Sequence, residues 1–366
     1  MPMIPDQIDT PSVMIDVGVL DANIARMASA MHTRGVRLRP HAKTHKVLEI
    51  GARQLAAGAV GLTVATIGEA ETFAAGGAAN LFIAYPLWVD ARRARRLRVL
   101  SEAAAIRVGV DSVEGAAEMG RNLGTGARNV SVLVEVDSGH HRSGARPADV
   151  VDIARAAADA GLLVEGAFTF PGHSYAPGMP QHALQDEDTA LREASSRLRA
   201  AGFDVDELSG GSTPTALLGG GGAATELRPG VYVLGDAQQY ELQRCALEDI
   251  ALTVAATVVS RSAPAHARGR RVVVDSGSKI LGSDRPAWAT GYGRLLDEPA
   301  ARIVALSEHH ATIEWPDGAA MPAHGQRLRI VPNHVCLTMN LVDRVSVVRN
   351  GSVEDEWEVA ARGQNS

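Results

Sequence analysis

The sequence has few cysteines, few aromatic residues and no excess of positive charge. Its 366 residues include two cysteines, Cys245 and Cys336, so at most one disulfide bond could form and a disulfide-stabilised scaffold is excluded. The net charge of -6 offers no basic surface for nucleic acid. No uninterrupted apolar run is long enough to cross a bilayer, and the first residues lack the features of a signal peptide. We therefore expect a soluble, cytoplasmic protein that binds neither nucleic acid nor membranes.

Short apolar runs alternate along the chain with amphipathic stretches rich in alanine, arginine and glutamate. Eight strands that alternate with helices over roughly 200 residues predict an α/β fold, a (β/α)8 TIM-type barrel. An open doubly wound sheet is the alternative, but no Gly-x-Gly-x-x-Gly motif follows the first run to support it. The predicted strands span residues 36–39, 59–65, 81–85, 106–111, 130–137, 164–170, 205–210 and 230–235.

Beyond Leu247 the pattern changes to apolar runs separated by turns, which predicts a C-terminal all-β domain. A strand predicted at residues 12–16 precedes the barrel and is expected to pair with this domain. We therefore predict a barrel domain of residues 17–245 and a β domain of residues 1–16 and 246–366. The C-terminal strands are predicted at residues 252–259, 271–274, 301–306, 312–315, 327–331, 345–348 and 353–357.

Polar residues follow the predicted barrel strands. His41 and Lys43 close the first strand, and Pro40 keeps this segment out of a helix. Buried ammonium and imidazole groups need partners that offset their desolvation, so a purely structural strand would favour valine or isoleucine here. A solvated basic loop is the ordinary interpretation of a lone histidine–lysine pair. The position at the carboxyl end of a barrel strand, where barrel enzymes build their active sites, favours a functional role instead.

A glycine-rich segment, residues 210–213, ends the seventh predicted strand. Barrel enzymes often bind phosphate in this region, and glycine lets backbone N–H groups approach an anion closely. Taken alone, an ordinary strand-to-helix turn explains the segment equally well. Combined with Lys43, it predicts a pyridoxal 5'-phosphate site in which the lysine forms the Schiff base and the segment anchors the phosphate. The segment consists of Gly210, Gly211, Ser212 and Thr213.

His334 and Cys336 place an imidazole and a thiol two residues apart, which puts them on one face if this stretch is extended. Imidazole and thiolate are ligands that suit zinc, whereas sulfur is less suitable for other divalent ions. Two ligands make only half of a metal site. The alternative is a buried cysteine beside a hydrogen-bonded histidine.

Four segments together resemble the D-threonine aldolase and D-serine dehydratase family. The resemblance runs nearly from end to end of the chain, and the combination is specific although each segment alone is weak. It implies a fold-type III pyridoxal phosphate enzyme, in which an alanine-racemase-like barrel is joined to a β domain. The segments are residues 39–46, 135–137 followed by 142–144, 210–214 and 332–336.

The resemblance implies roles for individual residues. Lys43 matches the Schiff-base lysine, and His41 lies beside it in the cofactor-binding segment. Arg142 matches the arginine near the phenolic oxygen of the cofactor. The residues that match the phosphate site are Gly210, Gly211, Ser212, Thr213, Gly230 and Tyr232.

His334 and Cys336 match the metal pair of the family. The resemblance implies that the bound divalent ion, zinc, manganese or magnesium, lies close to the β-hydroxyl group of the substrate. There it would act as a Lewis acid or as an anchor for the hydroxyl group.

The implied substrates are small D-amino acids with a β-hydroxyl group, and two reactions are open. Retro-aldol cleavage gives glycine and an aldehyde, whereas elimination gives a 2-oxo acid and ammonia. Cys336 favours a D-serine or 3-hydroxyaspartate dehydratase, because some D-threonine aldolases carry an aspartate at this position. Residues 63–66, 82–88 and 171–175 resemble bacterial low-specificity D-threonine aldolases instead, and we favour the aldolase.

Three residues are candidates for the base that acts on the β-hydroxyl group: His173, Tyr175 and His182. Phe170 stands where some aldolases carry a tyrosine. An amino-acid racemase is a less favoured alternative, since racemization needs no metal. A non-catalytic pyridoxal phosphate-binding protein is a further alternative, but such proteins usually consist of the barrel alone. The resemblance implies a homodimer in which the partner subunit completes the active site.

Overall fold

The structure, a computed structural model, describes residues 4–124, 129–219, 222–262 and 269–366, and it divides into two compact units. The described residues of Met1–Ile24, Thr44–Glu49 and Val231–Arg362 form the first, here called the β unit. Those of Ala25–Lys43, Ile50–Gly230 and Gly363–Ser366 form the second, the barrel unit. The domain limits given above stay a prediction. Among the described residues, no helix combines the length and the apolar character that a membrane span requires.

Strand β1 (Ser12–Asp16) and helix α1 (Val17–Arg34) precede the barrel strands in the chain. The buried side chains of α1 recur every three or four residues, which is the spacing of one helix face. The helix is followed by Gly35, whose positive φ of 65° is accessible to glycine at little cost. The buried apolar residues of this face are Leu20, Ile24, Met27 and Met31.

The barrel unit is built on eight parallel strands. They are β2 (Arg37–Leu38), β3 (Leu62–Val64), β4 (Asn80–Pro86), β5 (Ala105–Val110), β6 (Val130–Glu135), β7 (Leu163–Phe168), β8 (Glu207–Gly210) and β9 (Glu226–Leu227). Neighbours pair in the order β2-β9-β8-β7-β6-β5-β4-β3. A parallel bridge between His41 and Thr63 joins the two ends of this curled sheet. The predicted fold class, a (β/α)8 barrel with a β domain, is confirmed.

The barrel strands form because their apolar residues are buried on both faces. All six residues of β6 are buried, and four of them are valine or leucine, as expected for a parallel strand covered on both sides. The rings of Phe82 and Phe168 meet edge to face, with centroids 5.0 Å apart. A buried ion pair, Arg39 Nε to Glu226 Oε2 at 2.7 Å, lies within the same unit.

Helices follow most of the barrel strands. Thr66, Asp90 and Ser112 each accept a hydrogen bond from a backbone N–H group three residues later, so they cap the helices that follow them. In these three cases, two to four residues separate the strand from the helix. The helices are α2 (Leu48–Ala56), α3 (Ile67–Ala75), α4 (Ala91–Ala103), α5 (Val113–Leu123), α6 (Val150–Asp159), α7 (Pro180–Ala200) and α8 (Thr213–Ala216).

The eighth predicted strand, at residues 230–235, is wrong. This stretch contains a 3-10 helix, Val231–Val233, and the eighth strand is instead the two-residue β9. Sequence patterns missed β9 because Glu226 interrupts any apolar run. The burial of this glutamate is offset by its ion pair with Arg39 and by a hydrogen bond from Ser209 Oγ at 2.6 Å.

The β unit is one nine-stranded sheet. Its order is β11-β14-β13-β12-β15-β10-β1-β16-β17, where the later strands are β10 (Leu252–Ser262), β11 (Arg271–Val274), β12 (Gly293–Leu295), β13 (Arg302–Leu306), β14 (Ala311–Glu314), β15 (Arg327–Pro332), β16 (Arg344–Arg349) and β17 (Ser352–Glu358). Its helices are α9 (Ala237–Glu241), α10 (Ser278–Leu281) and α11 (Val335–Leu341). β1 pairs with β10 and β16, so the predicted pairing of the N-terminal strand with this part of the chain is confirmed. The predicted strands of this region are confirmed too, whereas the short β12 was not predicted.

Candidate active site

The ring of Phe170, just after β7, brings together side chains from several strand-end loops of the barrel unit. Lys43 Nζ lies 5.8 Å from its centroid, and the guanidinium carbon of Arg142 lies 5.1 Å from it. The rings of His140 and Tyr175 lie 5.5 and 6.3 Å away. The predicted residues Lys43, Arg142 and Tyr175 therefore share one aromatic neighbour, which the sequence singled out only as a departure from some aldolases.

Lys43 lies in a 3-10 helix, Ala42–Thr44, directly after the first barrel strand. Two backbone contacts of His41 hold the start of this turn. Its N–H group donates to Pro229 O at 3.0 Å, and it forms the β-bridge to Thr63. The lysine is thus carried by the segment where the two ends of the sheet meet.

The loops after β6 and β7 interlock through two histidine–glycine contacts. A Cβ atom on Gly139 would lie 3.2 Å from the ring of His173, and one on Gly172 would lie 2.6 Å from the ring of His140. Each loop therefore places an imidazole on the backbone of the other. A side chain at Gly172 would have to displace His140.

His173 and His140 differ in their surroundings. His173 Nε2 lies 3.2 Å from Asp186 Oδ2, while its Nδ1 is buried and has no hydrogen-bond partner among the described residues. If Asp186 accepts the proton of Nε2–H, Nδ1 keeps the lone pair that can accept a proton. Burial, followed by the charges of Arg142 and His173, lowers the pKa of His140. The third candidate base, His182, is exposed on α7.

Residues 210–213 form the turn between β8 and α8. Gly211 has a φ of 83°, a left-handed conformation that favours glycine. Its N–H group donates to Glu187 Oε2 at 2.7 Å, and the N–H group of Ser212 donates to Thr215 Oγ1 at 3.0 Å. These two N–H groups have partners within the protein, and so does the hydroxyl group of Ser212, whose Oγ lies 2.8 Å from Ser174 Oγ.

Two charged side chains that the sequence analysis did not single out are buried near this turn. Burial raises the pKa of Glu187 to about 7, against the opposing effects of the Gly211 N–H group and the charge of Arg228. Burial likewise lowers the pKa of Arg228 to about 10. The guanidinium group of Arg228 lies 5.4 Å from the ring centroids of both Phe82 and Phe168.

Glu135, at the end of β6, is a third buried charged residue. Burial raises its pKa to about 7, although a hydrogen bond with Ser143 and the charge of Arg142 act in the opposite direction. Its Oε2 atom is buried without a hydrogen-bond partner among the described residues. The signal in the sequence was a glutamate that ends an otherwise apolar run.

The residues around Phe170 fit pyridoxal 5'-phosphate. The amine of Lys43 and the guanidinium group of Arg142 border the same ring, so both can reach one molecule of the size of a pyridine. Gly230 is half-buried in the barrel unit, whereas Tyr232 lies in the 3-10 helix that the β unit contains.

The predicted metal pair lies in the β unit. His334 directly precedes α11, and Cys336 lies in the first turn of that helix. Asp236 Oδ2 lies 3.2 Å from His334 Nδ1, and Cys336 Sγ lies 3.4 Å from Thr44 Oγ1. A histidine whose Nδ1–H donates to a carboxylate keeps Nε2 available for a metal ion.

The electrostatics of this pair suit a cation. Burial alone would lower the pKa of His334, but Cys336 and Asp236 outweigh it and raise this pKa well above its usual value. Within the described ranges, no three histidine, cysteine, aspartate or glutamate side chains are grouped so as to hold a metal ion. A divalent ion at this pair would therefore need further ligands, such as water or substrate oxygen atoms.

Family models match both parts of the chain. Residues 15–238 match the alanine racemase N-terminal domain, and residues 251–348 match a putative serine dehydratase domain. These matches and the fold define a fold-type III pyridoxal phosphate enzyme. The chain belongs to the D-threonine aldolase and D-serine dehydratase family, which confirms the resemblance seen in the sequence.

Two relatives and one solved structure represent this family. The chain is 37% identical to D-threo-3-hydroxyaspartate dehydratase of Delftia sp., over 96% of this chain and 97% of that protein. It is 34% identical to D-threonine aldolase of Arthrobacter sp., over 98% of this chain and 93% of that protein. A solved structure of a D-threo-3-hydroxyaspartate dehydratase mutant in the metal-free form matches with a TM-score of 0.86 at 34% identity, over 96% of this chain and 97% of the other.

Proposed function

We propose that this protein is a lyase of the D-threonine aldolase type, which depends on pyridoxal phosphate and a divalent metal ion. Its substrates are D-β-hydroxy amino acids, and its products are glycine and an aldehyde. The observation that carries the proposal is the position of Lys43 and Arg142 beside the same ring, that of Phe170. The names of the Delftia and Arthrobacter relatives support this substrate class.

The cofactor would be held at three places. Lys43 would attach it covalently, Arg142 would bind its phenolic oxygen, and the hydroxyl groups of Ser212 and Thr213 would bind its phosphate. The bound pyridoxal phosphate supplies an electron sink for the charge that develops at Cα of the substrate. The further residues assigned to cofactor binding are His41, Gly210, Gly211, Gly230 and Tyr232.

A base is needed to remove the proton of the β-hydroxyl group. In retro-aldol cleavage, a base takes the proton of the β-hydroxyl group, the Cα–Cβ bond breaks, and the oxygen leaves as part of the aldehyde. The electron pair left at Cα then takes up a proton, which gives glycine. Of the candidates, His173 suits this role best, because its buried Nδ1 can accept a proton while its Nε2 forms a hydrogen bond with Asp186. Tyr175, on the other side of Ser174, is the second candidate.

His334 and Cys336 would hold the metal ion, which acts as a Lewis acid on the substrate hydroxyl group. The description of a related mutant as metal-free supports a metal in this family. The thiolate ligand favours zinc over manganese and magnesium.

A dehydratase that releases a 2-oxo acid and ammonia is the second candidate. It is favoured by the pairing of a histidine with Cys336 and by the relative that acts, by its name, on D-threo-3-hydroxyaspartate. In that reaction Lys43 would remove the α-proton and the β-hydroxyl group would depart. An amino-acid racemase is disfavoured because it has no use for the pair of His334 and Cys336.

The products distinguish the two reactions. We would incubate the metal-loaded enzyme with D-threonine, D-serine and D-3-hydroxyaspartate, and quantify glycine with aldehyde against 2-oxo acid with ammonia. The L-enantiomers and the chelator-treated enzyme serve as controls. We expect glycine and acetaldehyde from D-threonine; pyruvate and ammonia from D-serine, without glycine from D-threonine, would make the protein a dehydratase.

We further propose that the enzyme is a cytoplasmic homodimer, as the family resemblance implies. Size-exclusion chromatography with light scattering would give twice the chain mass of 38.4 kDa for this assembly. The mass of a single chain at assay concentration would contradict it.

A further inference from the structure

Ser174 connects two loops of the barrel unit. Its Oγ lies 2.8 Å from Ser212 Oγ, and the two residues are 0% and 2% exposed. One hydroxyl group belongs to the loop after β7, and the other belongs to the turn after β8. A buried hydrogen bond of this kind contributes to the positions of both segments, because water cannot replace either partner.

The neighbours of Ser174 in the chain are His173 and Tyr175, two of the three candidate bases. All three lie in or beside the 3-10 helix Gly172–Ser174, in which Ser174 N donates to Pro171 O at 3.0 Å. Tyr175 N donates to Gly172 O at 3.2 Å. Because this turn is held by its own hydrogen bonds, a displacement of Ser174 moves the side chains on both sides.

The Ser212 hydroxyl group also contacts Thr215 Oγ1 at 3.0 Å, so it takes part in a short chain of hydroxyl groups. Either serine can be the donor in the bond between Ser174 and Ser212. A hydroxyl group has one proton to donate, and an anion accepts but does not donate. When Ser212 donates to a phosphate oxygen, Ser174 must donate to Ser212, and the bonds of such an ordered chain strengthen one another.

We propose that Ser174 is a positioning residue that links the phosphate-binding turn to the segment carrying His173 and Tyr175, so that binding of the cofactor phosphate holds both side chains in place. This inference rests on the proposed function, since it takes residues 210–213 as the phosphate site. In addition to that function, the positions of His173 and Tyr175 then depend on whether the cofactor phosphate is bound.

The test compares pyridoxal 5'-phosphate with pyridoxal, which lacks the phosphate group. In the wild-type protein we expect pyridoxal phosphate to slow backbone hydrogen exchange in residues 171–176, whereas pyridoxal has little effect there. In Ser174→Ala, pyridoxal phosphate still slows exchange in residues 210–216 but no longer in residues 171–176. The dissociation constant for pyridoxal phosphate rises about three- to tenfold, and that for pyridoxal changes less than twofold.

Ser195→Ala is the matched control. Ser195 is 3% exposed on α7, and its hydroxyl group has no hydrogen-bond partner among the described residues. This variant also removes one buried hydroxyl oxygen atom, but it leaves the hydrogen bond between Ser174 and Ser212 intact. Its exchange pattern and its affinities for both cofactor forms should therefore equal those of the wild type.

A double-mutant cycle separates the contact from a general loss of structure. Ser174→Ala, Ser212→Ala and Ser174→Ala/Ser212→Ala should each show the same lack of protection by pyridoxal phosphate in residues 171–176, because each removes the same contact. Wild-type protection of residues 171–176 in Ser174→Ala would overturn the inference while leaving the cofactor assignment intact. A wild-type protein that binds no pyridoxal phosphate at all would overturn the proposed function, and this inference with it.

Discussion

The carboxylate of Asp236 lies 3.2 Å from Nδ1 of His334, although the two residues are 98 positions apart in the chain. Asp236 is fully buried, and its other oxygen caps α9 by accepting the N–H group of Gln239 at 2.8 Å. The aspartate is thus fixed by a helix start and can in turn fix the imidazole. With Nδ1–H bound to the carboxylate, Nε2 is the nitrogen that can bind a metal ion.

Asp236→Ala should weaken divalent metal binding by about tenfold to a hundredfold, because the imidazole of His334 loses the group that sets its tautomer and orientation. The measurement is competition with a chelator of known affinity. Asp236→Asn is the companion variant, since its amide oxygen can still cap α9. Equal metal affinity in the wild type and both variants would exclude a role for Asp236 in the site.

Cys336→Ala should lower the metal content of the purified protein and slow turnover, because one of two side-chain ligands is lost. Cys245→Ala is the matched control, because Cys245 is the other cysteine of the chain and is partly buried. Metal content is measured by elemental analysis after dialysis against the same buffer. A loss of metal in both variants would point to a general effect of removing thiols, and unchanged content in Cys336→Ala would remove this residue from the site.

Lys43→Ala should abolish covalent attachment of pyridoxal phosphate and all lyase activity, because the Schiff base would need the amine of this residue. The chain has only three lysines, Lys43, Lys46 and Lys279, so borohydride reduction followed by peptide mass spectrometry assigns the attachment site directly. Lys279→Ala is the control, because Lys279 is exposed in an ion pair with Glu308. Cofactor found on Lys46 or Lys279 in the wild type would refute the assignment.

The barrel could be predicted from the sequence because buried parallel strands form continuous apolar runs. This holds for β6, whose residues are all buried, and fails for β9, which has two residues and contains Glu226. The burial of that glutamate is offset by its ion pair with Arg39, which directly follows β2. Local patterns do not contain such a partner.

The same distinction applies to the candidate site. Lys43 and residues 210–213 could be singled out as candidates because they follow or end barrel strands, and the ends of parallel barrel strands meet at one face. Phe170 and Asp236 could not be assigned roles, because those roles arise from contacts with residues far away in the chain. Sequence patterns therefore indicate which segments contain candidate site residues, but they do not indicate which distant side chains position those residues.

Glu187→Gln should stabilise the protein at pH 8 and leave its stability nearly unchanged at pH 4. Burial raises the pKa of Glu187 from 4.5 to about 7. Between pH 4.5 and pH 7 the carboxyl group therefore keeps its proton in the folded state and has lost it in the unfolded state. Wild-type stability from this group is therefore fully present below pH 4.5 and is lost as the pH rises through 7. The glutamine does not titrate, and its oxygen can still accept the N–H group of Gly211.

The expected gain at pH 8 is up to about 3 kcal/mol, the free energy that corresponds to the full pKa shift. Thermal unfolding of the wild type and Glu187→Gln at pH 4, 6 and 8 measures it, with the difference in Tm growing as the pH rises. Glu193→Gln is the control on the same helix, because Glu193 is exposed and pairs with Arg197, so its effect should be small throughout. A Tm difference for Glu187→Gln that is the same at every pH would show that the carboxyl group of Glu187 does not titrate in this range.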